Sequence, residues 1–123
     1  MKKYKSFEET QVWQDAKSLA LEVYKLTQNF PDSEKFGITS QIRRSSISIC
    51  ANIAEGFYRN STKELIKFLY IARGSCGETI CFLILSFDLG YVPKEMMKIY
   101  QDKCNSINKM LMQVCNFFTR KRF

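Results

Sequence analysis

The chain has 123 residues, 46% hydrophobic and 25% charged, with two prolines and five glycines, which fits one globular domain and excludes long linkers or a second core. Its formal charge is +7 and it has no histidine; the charge favours polyanionic partners, and the missing imidazole excludes ordinary zinc sites and Ser-His or Cys-His nucleophiles. Five cysteines occur without a CxxC pair, so they read as reduced, mostly buried small hydrophobes of a cytoplasmic protein, not as a disulfide framework or metal site.

The start, MKKYKSFEETQVW, shows no apolar stretch after its lysines, and no signal peptide is expected. The first helical segment, about residues 7–30, places Val12, Ala16, Leu19, Val23, Leu26 and Phe30 at alternating steps of four and three, with Trp13 and Ala20 widening the face. Pro31, Asp32 and Ser33 end it.

The second segment, about 38–59, carries two parallel stripes. Ile38, Ile42, Ser46, Ile49, Ile53 and Gly56 form an apolar or small seam, while Gln41, Ser45, Ser48, Asn52, Glu55 and Arg59 form a polar row beside it. A surface helix needs only the first stripe and a solvated back. The ordered polar row therefore points to a buried network, a subunit contact or a binding surface.

The third segment, about 62–89, opens with Ser61 and Glu64 in capping-box spacing and stops at Gly90. Apolar residues occupy nearly every angular position between Leu65 and Leu89. One bundle covers only part of such a helix, so a homo-oligomer is expected. Gly74 and Gly77 cost about 1 kcal/mol each inside a helix, which implies a packing reason. The longest unbroken apolar run, Ile80 to Leu85, falls far short of the roughly 20 residues of a membrane span, so no membrane association is expected.

The fourth segment, about 93–121, begins at Pro93 and repeats Met97, Tyr100, Cys104, Ile107, Leu111, Val114 and Phe118 in three-four alternation, a bundle seam. Short connections make consecutive helices antiparallel. The expected fold is all-α: one antiparallel up-down-up-down four-helix bundle over residues 1–123, assembling into a ring-like homo-oligomer.

Several motifs carry a family resemblance. Val12-Trp13-Gln14 with Ala16, Thr39-Ser40-Gln41-Ile42-Arg43-Arg44-Ser45, Ala51-Asn52-Ile53-Ala54-Glu55-Gly56, Ser61 with Lys63-Glu64, Phe68-Leu69, Ala72, Gly74-Ser75, Glu78 and Leu89-Gly90-Tyr91 resemble the bacterial four-helix bundle proteins of the 23S rRNA-intervening-sequence family. The resemblance covers about residues 7–91. It implies a left-handed antiparallel bundle forming a ring-shaped homopentamer, with no established activity. A more distant relative in fold is the accessory protein of diversity-generating retroelements, a pentameric basic barrel that works with a reverse transcriptase and nucleic acid. Where that family commonly has proline, Cys50 stands here, which restores a backbone donor and makes the second helix straighter.

The candidate sites follow from charge and spacing. Arg43 and Arg44 project about 100° apart on a helix, and either contact phosphate or pair with carboxylates across the bundle or a subunit boundary. Arg59, Lys63 and Lys67 follow at steps of four, and Lys2, Lys3, Lys5 and Arg120, Lys121, Arg122 make basic tails; Arg43, Arg44, Arg59, Lys63, Lys67, Arg120, Lys121 and Arg122 are the candidates for RNA or DNA contact. Gln41, Ser45, Ser48, Asn52, Glu55 and Arg59 are candidates for assembly. The function expected is a non-enzymatic oligomeric scaffold or adaptor that touches RNA or DNA through basic surfaces, without cofactor or metal. The alternatives are a protein–protein adaptor without nucleic acid, or an enzyme using Glu55, Asn52 and Arg59, for which one carboxylate is thin support.

Overall fold

A computed structural model describes residues 6–121. Among them are four α-helices and no strand: α1 (Gln11–Thr27), α2 (Ile38–Phe57), α3 (Thr62–Asp88) and α4 (Lys94–Lys121), with short 3₁₀ turns at Phe7–Glu9 and Asp32–Glu34. The expected all-α class holds. Residues pair in opposite directions along α2 and α3, with Ser45 meeting Thr79 and Ser48 meeting Ser75. Chain neighbours pack side by side, α2 most closely on α3, while α1 and α4 meet least.

The ends of α1 differ from the periodicity because local capping overrides it. Thr10 is extended, and its Oγ1 accepts the Trp13 amide at 3.2 Å, so the helix starts at Gln11 and not at Phe7. The helix stops at Thr27, and Phe30 is buried from the following turn, its ring 5.3 Å from Tyr91. Gly37 precedes α2 and has no side chain to cap it. Glu34 does that work instead: Oε1 accepts the Ile38 amide at 3.2 Å and Oε2 accepts the Tyr91 hydroxyl at 2.7 Å. A Cβ on Gly37 would lie 2.5 Å from that same Oε1.

Ser61 caps α3 by accepting the Glu64 amide at 3.1 Å. At the far end Gly90 takes φ +82°, and the Gly90 and Tyr91 amides donate to Phe87 and Ser86 carbonyls, a Schellman stop that a side chain at position 90 would strain.

The core joins Val12, Ala16, Leu19 and Val23 of α1, Ile42, Ile49 and Ile53 of α2, Leu65, Leu69, Ala72, Cys76 and Leu83 of α3, and Cys104, Ile107, Leu111 and Cys115 of α4. One position of the expected seam shifts. Past Leu111 the buried residue is Cys115, and Val114 is half-buried, as a straight helix drifts from a strict heptad. The described cysteines are all free; Cys76, Cys104 and Cys115 are buried, Cys50 is half-buried and Cys81 exposed. Burial pushes the Cys76 and Cys104 thiols up to about 12, so neither is a nucleophile at neutral pH.

By length and composition α3 is apolar enough to cross a membrane, although no single unbroken run in it is long, and a third of its most apolar window is buried in the bundle. Its two mid-helix charges are engaged by neighbouring helices, Arg73 by Asn108 of α4 and Glu78 by Arg44 of α2.

Candidate functional site

The polar row of α2 divides when the helix is packed. Ser45 is fully buried, and its Oγ donates to Thr79 Oγ1 at 2.8 Å, with the Ile42 carbonyl as its alternative acceptor. Thr79 in turn donates to the Ser75 carbonyl, and Ser75 Oγ donates to Ser48 Oγ at 2.9 Å. Asn52 closes the chain, its Nδ2 donating to the Ser48 carbonyl at 2.8 Å and to Ser48 Oγ at 2.9 Å. Ser45 and Ser48 thus bond to α3 of the same protomer, with Asn52 bracing Ser48 from its own helix, in a hydrogen-bonded seam between two helices brought close by small side chains. Gly56 extends that closeness, since a Cβ there would stand 3.1 Å from Leu65 Cδ1 and 3.1 Å from Phe68 Cβ.

Gln41, Glu55 and Arg59 are exposed. Arg44 links the first of them to α3: its Nε donates to Gln41 Oε1 at 3.1 Å and its Nη2 pairs with Glu78 at 3.0 Å. Arg59 Nη2 pairs with Glu55 at 2.7 Å, and its guanidinium lies 4.8 Å from the Phe68 ring centroid. Both are half-exposed pairs whose worth is about 0–1 kcal/mol. The Asn52 amide turns back to Ser48, whereas Glu55 engages Arg59, so the trio has no shared focus. Among the described residues no group of three or more His, Cys, Asp or Glu is placed to hold a metal ion.

Arg43 has an inward task. Its Nε donates to Thr27 Oγ1 at 2.7 Å, its Nη2 donates to the Tyr24 carbonyl at 3.3 Å, and its guanidinium lies 4.4 Å from the Tyr24 ring centroid. A cation on the last carbonyls of α1 complements that helix terminus. Among the other basic candidates, Lys63, Lys67 and Arg120 are exposed. Lys121 ends α4, and Arg122, Lys2, Lys3 and Lys5 lie outside the described residues.

Two features were not singled out by spacing. The exposed side of α3 is itself a continuous stripe, Tyr70, Ile71, Gly74, Gly77, Cys81, Ile84 and Leu85, broken only by Glu78, which Arg44 pairs. Ile71, Ile84 and Leu85 are 43%, 40% and 44% exposed. A Cβ on Gly74 or Gly77 would meet nothing within 4 Å, so the packing reason expected for these glycines is not found inside the protomer. They lie in a groove of about 440 Å³ between α3 and α4, lined also by Tyr70, Arg73, Asn105 and Asn108. The other feature is Tyr58, 78% exposed just past α2.

Residues 8–113 match the sequence model of the family described as 23S rRNA-intervening sequence protein. Among solved structures, the fold is similar to that of a protein of unknown function from the S23 ribosomal protein family of Bacteroides thetaiotaomicron. The two align with a TM-score of 0.76 and 29% sequence identity over 85% of this chain and 97% of that one. No curated protein matches the chain.

Proposed function

The chain belongs to the 23S rRNA-intervening sequence protein family, and from that premise we propose that it is a non-enzymatic scaffold that self-associates through α3 and touches nucleic acid through its basic surface. The observation that carries this reading is the outer face of α3. Its exposed apolar and small side chains recur at helical steps of three and four, the spacing of a second packing seam. Contiguous apolar surface of this kind on a small domain marks an interaction site. Gly74 and Gly77 at its centre leave open space for a neighbouring helix, and Ile47 and Ala51, exposed on the side of α2 that carries Arg44, extend the surface. A closed ring, five-membered by the family resemblance, would repeat each basic group around its axis. Repetition raises affinity for a polyanion and steepens its salt dependence.

Sedimentation of the wild type beside Ile71→Lys/Leu85→Lys tests the assembly. Both positions are exposed, so the variant keeps its fold; the wild type sediments as an oligomer and the variant as a monomer. A monomeric wild type at tens of micromolar overturns the reading. A wild-type oligomer that ignores RNA and DNA at low salt leaves the protein–protein adaptor in its place.

A further inference from the structure

The antiparallel order gathers segments far apart in sequence at one end of the bundle: the 3₁₀ turn Phe7–Glu9, the connection between α2 and α3, and the last turn of α4. Phe7 marks the junction, its ring centroid 5.0 Å from that of Trp13 and 5.9 Å from that of Tyr58. Tyr58 touches Phe7 in an edge-type contact and leaves most of its ring in water. Cations alternate with these rings. Lys17 lies 5.2 Å from the Trp13 centroid, and Arg59 and Lys67 lie 4.8 Å and 5.9 Å from that of Phe68. Lys63 and Lys67, one turn apart at the start of α3, are exposed and have no ion pair among the described residues. The acids of this end are Glu8, Glu9, Glu55 and Glu64, of which Glu55 holds Arg59. The opposite end carries Asp32, Glu34, Asp88 and Glu95 against Lys25, Lys35, Lys94 and Lys98, and there Glu34 is committed to Ile38 and Tyr91.

We infer that the α2–α3 end is a binding site for single-stranded nucleic acid, with Tyr58 stacking on a base and Lys63 and Lys67 contacting phosphates. This rests on the nucleic-acid reading above and assigns it a place and a strand form. The form follows from the chemistry. Exposed rings gain by stacking on unpaired bases, whose π-faces are free, whereas a duplex keeps its bases stacked on one another. Arg59 contributes less than the lysines, because a phosphate must compete with Glu55 for its guanidinium.

The test is fluorescence anisotropy of the full chain with a labelled strand of about 20 nucleotides, longer than common single-strand site sizes. The strand is offered as RNA, as DNA of the same sequence and as the DNA duplex, over a salt series. Both single strands bind more tightly than the duplex, and any gap between them reports contact with the 2′-hydroxyl. Tyr58→Ala weakens single-strand binding by about 5- to 150-fold while Tyr58→Phe preserves it, and Lys63→Gln/Lys67→Gln lowers the salt slope by about 1.4. Circular dichroism and sedimentation of the variants must match the wild type. If the wild type binds single strands but Tyr58→Ala and the lysine pair bind equally well, or if the duplex is preferred, the site is overturned and the nucleic-acid reading stands. Binding to none of the three probes, or only to phosphatidylserine vesicles, overturns both.

Discussion

Replacing glycine by alanine at positions 56, 74 and 77 makes one chemical change in three surroundings, and the structure assigns the signs. Inside a helix alanine is favoured by about 1 kcal/mol. At Gly74 and Gly77 the added methyl meets nothing within 4 Å, so the isolated protomer gains about 2 kcal/mol from the double substitution. At Gly56 the methyl arrives 3.1 Å from both Leu65 Cδ1 and Phe68 Cβ and 3.3 Å from the Leu65 carbonyl oxygen. Overpacking costs about 1–3 kcal/mol, so Gly56→Ala loses roughly 0–2 kcal/mol net after the propensity gain. Denaturant unfolding read alongside sedimentation separates the contributions. If α3 packs on a second copy, Gly74→Ala/Gly77→Ala weakens assembly even as each protomer becomes harder to unfold. A double variant with raised stability and unchanged oligomeric mass would remove these glycines from the interface and refute that use of the α3 face. A Gly56→Ala variant more stable than the wild type would refute the close approach of α2 and α3.

Other consequences are separable by assay. The Tyr91 hydroxyl, then the Ile38 amide, hold the Glu34 carboxyl below the usual carboxylate range; a lowered folded-state pKa stabilises above the unfolded value and is lost as pH falls through the folded one. Wild-type stability therefore falls on acidification more than that of Glu34→Gln, measured by urea unfolding from pH 7 to pH 2; equal acid limbs would exclude a role for this carboxylate. A double-mutant cycle of Ser45→Ala and Thr79→Val should return a coupling of about 0.5–1.5 kcal/mol, and zero coupling would mean the 2.8 Å contact contributes nothing. Arg43→Met removes two hydrogen bonds at the end of α1 and costs about 1–3 kcal/mol in thermal or urea unfolding. Because those bonds turn the guanidinium inward, affinity for an oligonucleotide is unchanged; lost affinity at wild-type stability would return Arg43 to the phosphate-binding set.

What was legible in the sequence depended on whether the signal was local. Ile42, Ile49 and Ile53 could be read as core because burial imposes a period on one helix, and Ser61 and Gly90 could be read as boundaries because caps act within a turn. The partners of Ser45 and Ser48 lie on α3, some 30 residues onward, and which hydroxyls meet follows from antiparallel register. Spacing showed that Ser45 and Ser48 share a stripe; it did not show that Thr79 and Ser75 complete it. For Arg43 residue type left two readings open, phosphate contact or pairing with carboxylates; its acceptors in the fold, Thr27 and the Tyr24 carbonyl, sit across a turn whose path spacing does not reveal. The outer stripe of α3 was hidden in plain hydrophobicity. A helix apolar nearly all round signals excess surface without saying which part the bundle covers.

The thin contact between α1 and α4 has a dynamic consequence. Three edges of the bundle are closely packed and the fourth is light, with Lys103 to Glu22 at 2.9 Å and Tyr100 to the Glu22 carbonyl at 3.4 Å spanning a gap of about 250 Å³ lined by Asp15, Ser18, Leu19 and Ser106. The four helices behave less as a closed cylinder than as a folded screen with a loose outer panel. In native-state hydrogen exchange, α1 amides should open in a cooperative step below the global unfolding energy, while those of α2 and α3 along the hydroxyl seam exchange only when the whole domain unfolds.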